Sequence, residues 1–180
     1  MPGRNPREAV DEYIAPLQRS LSCFSPGILR PSGYDTDILL QATFSYPTVE
    51  LMTVGGEILH LSFVQGFSII QPLFPKFGRY KVRTRSYIYQ LENSNHQEIL
   101  GFHWHPENTP DIQYPHMHIY QGAGDNIRQE IRNIHFRTDR FAFEEFCQLL
   151  IKEFRVVPDR DDAEEVLSQN LRKFQNYKTW

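Results

Sequence analysis

The chain has 180 residues, of which 40% are hydrophobic and 13% aromatic, and its net charge is −3. That size and composition fit a single domain over 1–180 with a substantial core and argue against wholesale disorder. The charge gives no bulk attraction for nucleic acid, so any basic surface must be local. Cys23 and Cys147 stand alone without CxxC spacing, which argues against a disulfide framework or a cysteine-based zinc site and fits a reducing compartment. No apolar run reaches the ~18 residues expected of a membrane span, and the polar start MPGRNPREAVDEY lacks a signal-peptide core. The expectation is a soluble cytoplasmic protein with no membrane contact.

Residues 1–5 read as a flexible tail. From Pro6 to about Cys23, apolar residues recur at helical spacing through Val10, Ile14, Leu17 and Leu21. Asn5 is the predicted N-cap, with Pro6 at the first position and Glu8 at the third. Pro16 is expected to kink this helix or end it near Ala15. The turn-rich stretch 25–35 then leads into β-prone runs at 37–46 and 49–54, a Gly55-Gly56 hairpin turn, and a return strand at 57–67. His60 lies in that strand among Leu, Ile and Phe and reads as a packed structural histidine. Prolines and a glycine make 71–78 a loop.

Residues 79–91 predict a strand with Arg79, Lys81, Arg83, Arg85, Tyr87 and Tyr89 on one face, because strand side chains alternate with period two. After a turn at 92–96, residues 97–105 predict the next strand. If Glu92 faces His96 around a three-residue turn, Arg85 falls opposite His103 and Arg83 opposite His105, so cations, tyrosines and histidines share a side. A bulge would overturn that register.

Four of the seven histidines lie between Gly101 and Tyr120, as two His-x-His pairs: His103/His105 and His116/His118. Phe102 and Trp104 interleave the first pair; Met117 and Ile119 follow the members of the second. This is the pattern of two half-buried antiparallel strands with imidazoles on one face and core on the other. A further short strand is predicted at 131–136, with His135 in it. Phe143, Phe146, Leu149, Leu150 and Phe154 form a helical stripe, with Thr138 or Asp139 as its N-cap, and a second helix starts near Asp161. The expected fold is α+β: an N-terminal helix, a twisted antiparallel sheet of about five to six strands, and two C-terminal helices packed on one face.

Three chemistries suit such a histidine cluster. Leading is metal-independent RNA cleavage by a small RNase-like protein. His103 and His116 would be its acid and base, because imidazole titrates near neutral pH. His105, His118, Tyr87 and Tyr89 would stand beside them, and Arg83, Arg85 and Arg140 would hold phosphate through their forked donors. The alternative is a non-catalytic module that binds nucleic acid or protein. Third is a metalloenzyme in which His103, His105, His116 and His118 ligate zinc or another divalent transition metal, with Glu107 or Asp111 completing the set. The expected arginine stripe counts against this last reading, since its charge repels a cation. His135, Thr138 and Arg140 admit structural roles as well: a packed ring, a helix cap, and an i,i+4 partner of Glu144.

The segments RTRSYIYQLENSNHQEILGFHWHP, PHMHI and IHFRTDRFAFEEFCQLLIKEFRVVP resemble, over residues 83–158, a group of small prokaryotic proteins. That group carries a Tyr-x-Tyr strand, a His-x-His-Pro strand, a Pro-His-x-His strand and His-x-x-Thr-x-Arg before an acidic helix. It is similar to the TumE-like toxins of toxin–antitoxin pairs. The resemblance implies an RNase-like α+β protein, an RNA substrate and an antitoxin-like protein partner. It marks Tyr87, Tyr89, His103, His105, His116, His118, His135, Thr138 and Arg140 as motif positions. The first 75 residues depart from the compact toxin form.

Overall fold

The computed structural model describes residues 2–72, 78–107 and 111–177. Most of the loop predicted at 71–78 and the middle of the loop after Pro106 lie outside the described residues. The chain runs β1 (Pro2–Gly3), α1 (Pro6–Leu21), β2 (Leu29–Pro31), β3 (Leu40–Phe44), β4 (Val49–Met52), β5 (Ile58–Ile70), β6 (Tyr80–Glu92), β7 (Glu98–Trp104) and β8 (His116–Ile119). After a 3-10 turn at Gln121–Ala123 come α2 (Gln129–Arg132), β9 (Phe136–Arg137), α3 (Phe143–Lys152) and α4 (Ala163–Tyr177). The strands form one antiparallel sheet in the order β2-β3-β5-β6-β7-β8-β9, with β4 also on β5 and β1 on β6. The fold is α+β, with an N-terminal helix, a large antiparallel sheet and C-terminal helices. Among the described residues, no helix is long and apolar enough to cross a membrane.

Among the described residues the sheet has nine strands rather than five or six, and the additions are short: β1, β2 and β9 hold two or three residues each. Such segments carry too few side chains to show a period. The expected N-terminal tail is instead part of the sheet, pairing Pro2 with Lys81 and Gly3 with Tyr80. Gly3 is needed there, because a Cβ would lie 2.3 Å from the Ala9 nitrogen. Helix α1 is capped as predicted, by Asn5 accepting from the Glu8 N–H, but it runs on through Pro16 to Leu21. Proline removes only the bond to the Glu12 carbonyl, and Glu12 is exposed to water that can replace it. The carbonyl of Pro16 accepts from Ser20 Oγ and Asn170 Nδ2. The strand predicted at 131–136 is also corrected: its first half is the end of α2, and only Phe136–Arg137 pair with β8. Helix α3 starts at Phe143, with the Glu145 carboxylate accepting from the Ala142 N–H at 2.7 Å, so neither Thr138 nor Asp139 is its cap.

One irregularity sets the two faces of β6. Gly66 of β5 pairs with Ser86, and the next residue, Phe67, pairs with Thr84, so Arg85 is an extra, bulged residue. Before the bulge, Val82 and Thr84 point to the core; after it, Tyr87, Tyr89 and Leu91 do. The register with β7 is Tyr87↔Trp104, Ile88↔His103 and Tyr89↔Phe102. The predicted pairings of Arg85 with His103 and Arg83 with His105 do not form. Tyr87 and Tyr89 are buried on the helix-covered face. Their rings lie 4.9 Å apart, and Phe143 and Phe146 of α3 pack 5.5 and 5.8 Å from Tyr89. Each such aromatic contact contributes about 0.5–1.5 kcal/mol beyond its area. The hydroxyls are used internally: Tyr89 donates to Gln65 Oε1 at 2.5 Å, and Tyr87 accepts from the Phe141 N–H at 2.9 Å. Helices α1, α3 and α4 join this same core, which leaves the opposite sheet face for the histidines.

Within the helical layer, Glu144 is 1% exposed; Ser20 Oγ donates to its Oε1 at 3.2 Å, and Oε2 has no hydrogen-bond partner among the described residues. Burial pushes its carboxyl up to about 7. A raised carboxyl favours the protonated form in the fold, so stability falls as pH rises from the unfolded value near 4.5 through 7 and is level above that. Glu144→Gln should therefore raise the midpoint of urea unfolding at pH 8 by an amount worth on the order of 2 kcal/mol, and leave it unchanged near pH 4.5.

Candidate metal centre

The site is built on the pairing of β7 with β8. Their register is Leu100↔Ile119, Gly101↔His118, Phe102↔Met117 and His103↔His116. Phe102 and Trp104 are buried in the core at 5% and 6% exposure, and Phe102 stacks on Phe141 at 4.1 Å. Period-two alternation then turns His103, His116 and His118 together to the other face. Their rings are 5.0–5.7 Å apart: 5.7 Å for His103–His116, 5.3 Å for His103–His118 and 5.0 Å for His116–His118. One nitrogen of each of the three lies within 4.8 Å of the others.

The surroundings orient these rings. His116 Nδ1 is 3.0 Å from the Tyr114 carbonyl, which only accepts, so Nδ1 carries the hydrogen and Nε2 keeps its lone pair. His103 Nε2 and His118 Nδ1 are buried and have no hydrogen-bond partner among the described residues. Gly101 makes room for His103: a Cβ there would stand 2.7 Å from His103 Nε2 and 3.3 Å from Gln90 Cγ. The Tyr120 ring stacks on His118 at 5.4 Å.

The other predicted residues fall in several places. His135 arrives on the segment between α2 and β9, with its ring 4.3 Å from His118 and 5.0 Å from His116. His105 lies just past β7, 5.5 Å from His116. Both stand beside the trio rather than in it. Thr138 donates its N–H to the Pro115 carbonyl, tying the chain after β9 to the start of β8. Tyr87 and Tyr89 are separated from the histidines by the sheet itself. The arginines gather away from the trio: Arg83, Arg85 and Arg140 line a cleft with Thr84, Trp104, Pro106, Glu107 and Gln113. Arg85 is ion-paired with Glu107, and Arg140 lies over the Trp104 ring at 3.8 Å. Glu107 is thus engaged by Arg85, and Glu144 is held inside the helical layer by Ser20. His60, read as structural, is 6% exposed and stacked on His96 at 4.1 Å.

Sequence reasoning missed Gly101, Tyr120 and the Tyr114 carbonyl. The first had a signal, since glycine inside a strand marks a close approach. Comparison with protein-family models, curated proteins and solved structures found no match; the site is therefore read from its own geometry.

Burial, with the neighbouring imidazoles adding to it, lowers His103 to about 3 and His118 to about 4; burial also lowers His116, against the pull of the Tyr114 carbonyl. The cluster is a set of neutral nitrogen donors at neutral pH. These folded values lie below the unfolded value near 6.5, so stability is complete above 6.5 and is lost as pH falls from there towards 4 and 3. In EDTA, the protein should lose denaturant resistance between pH 6.5 and 4, and His118→Gln should flatten that slope. A Glu144→Gln background removes the opposing contribution of that carboxyl.

Proposed function

We propose that this chain is a metalloenzyme in which His103, His116 and His118 hold a divalent transition metal, zinc foremost, with an open position that activates water. The observation that carries the reading is the trio itself: three imidazole nitrogens within 4.8 Å, two of them buried without a hydrogen-bond partner among the described residues. Leaving a buried polar atom unpaired costs about 1–3 kcal/mol, a cost that coordination removes. Three protein ligands with a free position is the arrangement of catalytic zinc sites, where the metal makes bound water acidic enough to ionise near neutral pH. The Tyr114 carbonyl supplies the outer contact that fixes a ligating imidazole. The expected stripe of arginines opposite the histidines does not form, because the bulge breaks that register and Arg85 is ion-paired with Glu107.

The second reading is the metal-free RNase-like protein with His103 and His116 as acid and base, supported by the arginine cleft beside His105 and by the resemblance. It requires one imidazole to hold a proton near neutral pH, and the burial of this cluster works against that. Cytoplasmic residence, a toxin-like role and an antitoxin-like partner belong to this reading, through the resemblance.

The test is zinc titration of untagged protein stripped with EDTA, followed by calorimetry. One equivalent should bind. His103→Gln, His116→Gln and His118→Gln should each weaken it by more than the ~10–100-fold that loss of an outer contact costs, whereas His105→Gln and Tyr87→Phe should leave it within a few-fold. Absence of stoichiometric zinc, with EDTA-resistant RNA cleavage abolished by His103→Gln, would give the function to the metal-free reading.

A further inference from the structure

A cleft that the histidines do not line lies at the C-terminal end of β7. Its volume is about 350 Å³, and its walls come from the β6 bulge, the end of β7 with the turn after it, and the segment before α3. Three cations from two separate parts of the chain converge there: Arg83 and Arg85 from β6, and Arg140 from the α3 approach. One carboxylate, Glu107, accompanies them, so the titratable groups lining the cleft carry a net charge of +2 (three arginines less one glutamate). Arg83 is close enough to Arg140 to oppose its charge.

The arrangement is built rather than incidental. The extra residue of the bulge is Arg85 itself, and a bulge re-aims the side chain it carries. The Arg140 guanidinium lies on the Trp104 indole at 3.8 Å, which fixes its plane. Trp104 is held in turn by donating its ring N–H to the Gln113 carbonyl at 3.2 Å. Glu107, 54% exposed at its side chain, accepts from Arg85 Nη2 through one carboxylate oxygen. Guanidiniums gathered in one cleft repel one another, and their forked donors match phosphate oxygens in geometry as well as charge. A cleft of 350 Å³ lies near the lower end of the range for small-ligand sites, roughly 300–1,000 Å³.

We propose that this cleft seats a phosphate group, with Glu107 as an internal stand-in that phosphate displaces from Arg85. The neighbouring cleft, lined by Leu39, Gln41, Val64, Ile88 and His105, shares Arg85, Pro106 and Glu107 with it. A ligand anchored by its phosphate at the arginines therefore extends along this second cleft towards His105 and the histidine face. The ligand class is a phosphate ester with a part long enough to cross that shared rim. Anion binding here does not depend on the metal.

The experiment is calorimetry of the full chain in EDTA, so that its failure and failure of the metal centre are separable. The probes are inorganic phosphate, a nucleoside 5′-monophosphate and a short single-stranded RNA. Saturable binding is expected. Arg83→Gln and Arg140→Gln should weaken it roughly tenfold or more, as loss of a charged hydrogen bond does. Glu107→Gln should tighten it by freeing Arg85. Arg137→Gln makes the same charge change as Arg83→Gln, but its side chain lies over Tyr114, so it should have no effect. Binding of all three probes assigns a phosphate monoester ligand; binding of RNA alone, with the same variant pattern, assigns a polynucleotide backbone. No binding by any probe overturns the proposal. So does equal weakening by Arg137→Gln, which would mean diffuse attraction, or Glu107→Gln that fails to tighten.

Discussion

The pairing of β7 with β8 is the constraint on which the rest of this structure depends. Phe102, Trp104 and Met117 have to face the helices, since burying a large apolar side chain is worth about 1.5–3 kcal/mol. Once they do, strand geometry leaves His103, His116 and His118 only the other face, and the register His103↔His116 sets them beside one another. A one-residue slip would expose two aromatics and bury imidazoles among helices. The site is thus held by the core rather than by contacts among its own members. That matters because neutral imidazoles crowded together offer one another little attraction and much repulsion once any of them is charged.

The sheet also divides the chemistry. The tyrosines stand on the helix side, where Tyr87 receives the Phe141 N–H and Tyr89 donates to Gln65. Both are pushed up by burial, Tyr87 to about 12, and act as struts between sheet and helices. Arg83 and Arg85 stand at the bulge inside β6 and Arg140 on the approach to α3, around Trp104. What the other face of β7 and β8 holds is a set of buried nitrogen donors. Such a set has the softness and geometry that zinc and its neighbours prefer.

Much of this was legible in the chain. Asn5-Pro6 with Glu8 marked the start of α1, the Phe143–Leu150 stripe marked α3, and the two His-x-His pairs marked a shared face, each because a strong period or a cap acts locally. The bulge at Arg85 was not legible. An extra residue in one strand leaves the alternation of RYKVRTRSYIYQL intact on paper while inverting its second half in space. Tyr87 and Tyr89 therefore read as part of a polar stripe, and the arginines as facing the histidines. Short strands such as β1 and β9 were hidden because their pairing is decided by distant partners. The α2 turn was hidden because Ile131 and Ile134 suit strand or helix equally well over so few residues.

The most direct test of the central claim is X-ray absorption at the zinc edge of protein loaded with one equivalent of zinc. Three imidazole nitrogens at about 2.0–2.1 Å and one solvent oxygen are expected, with an imidazole lost from the pattern in His118→Gln. A spectrum of water and carboxylate oxygens alone, unchanged by that substitution, would contradict it.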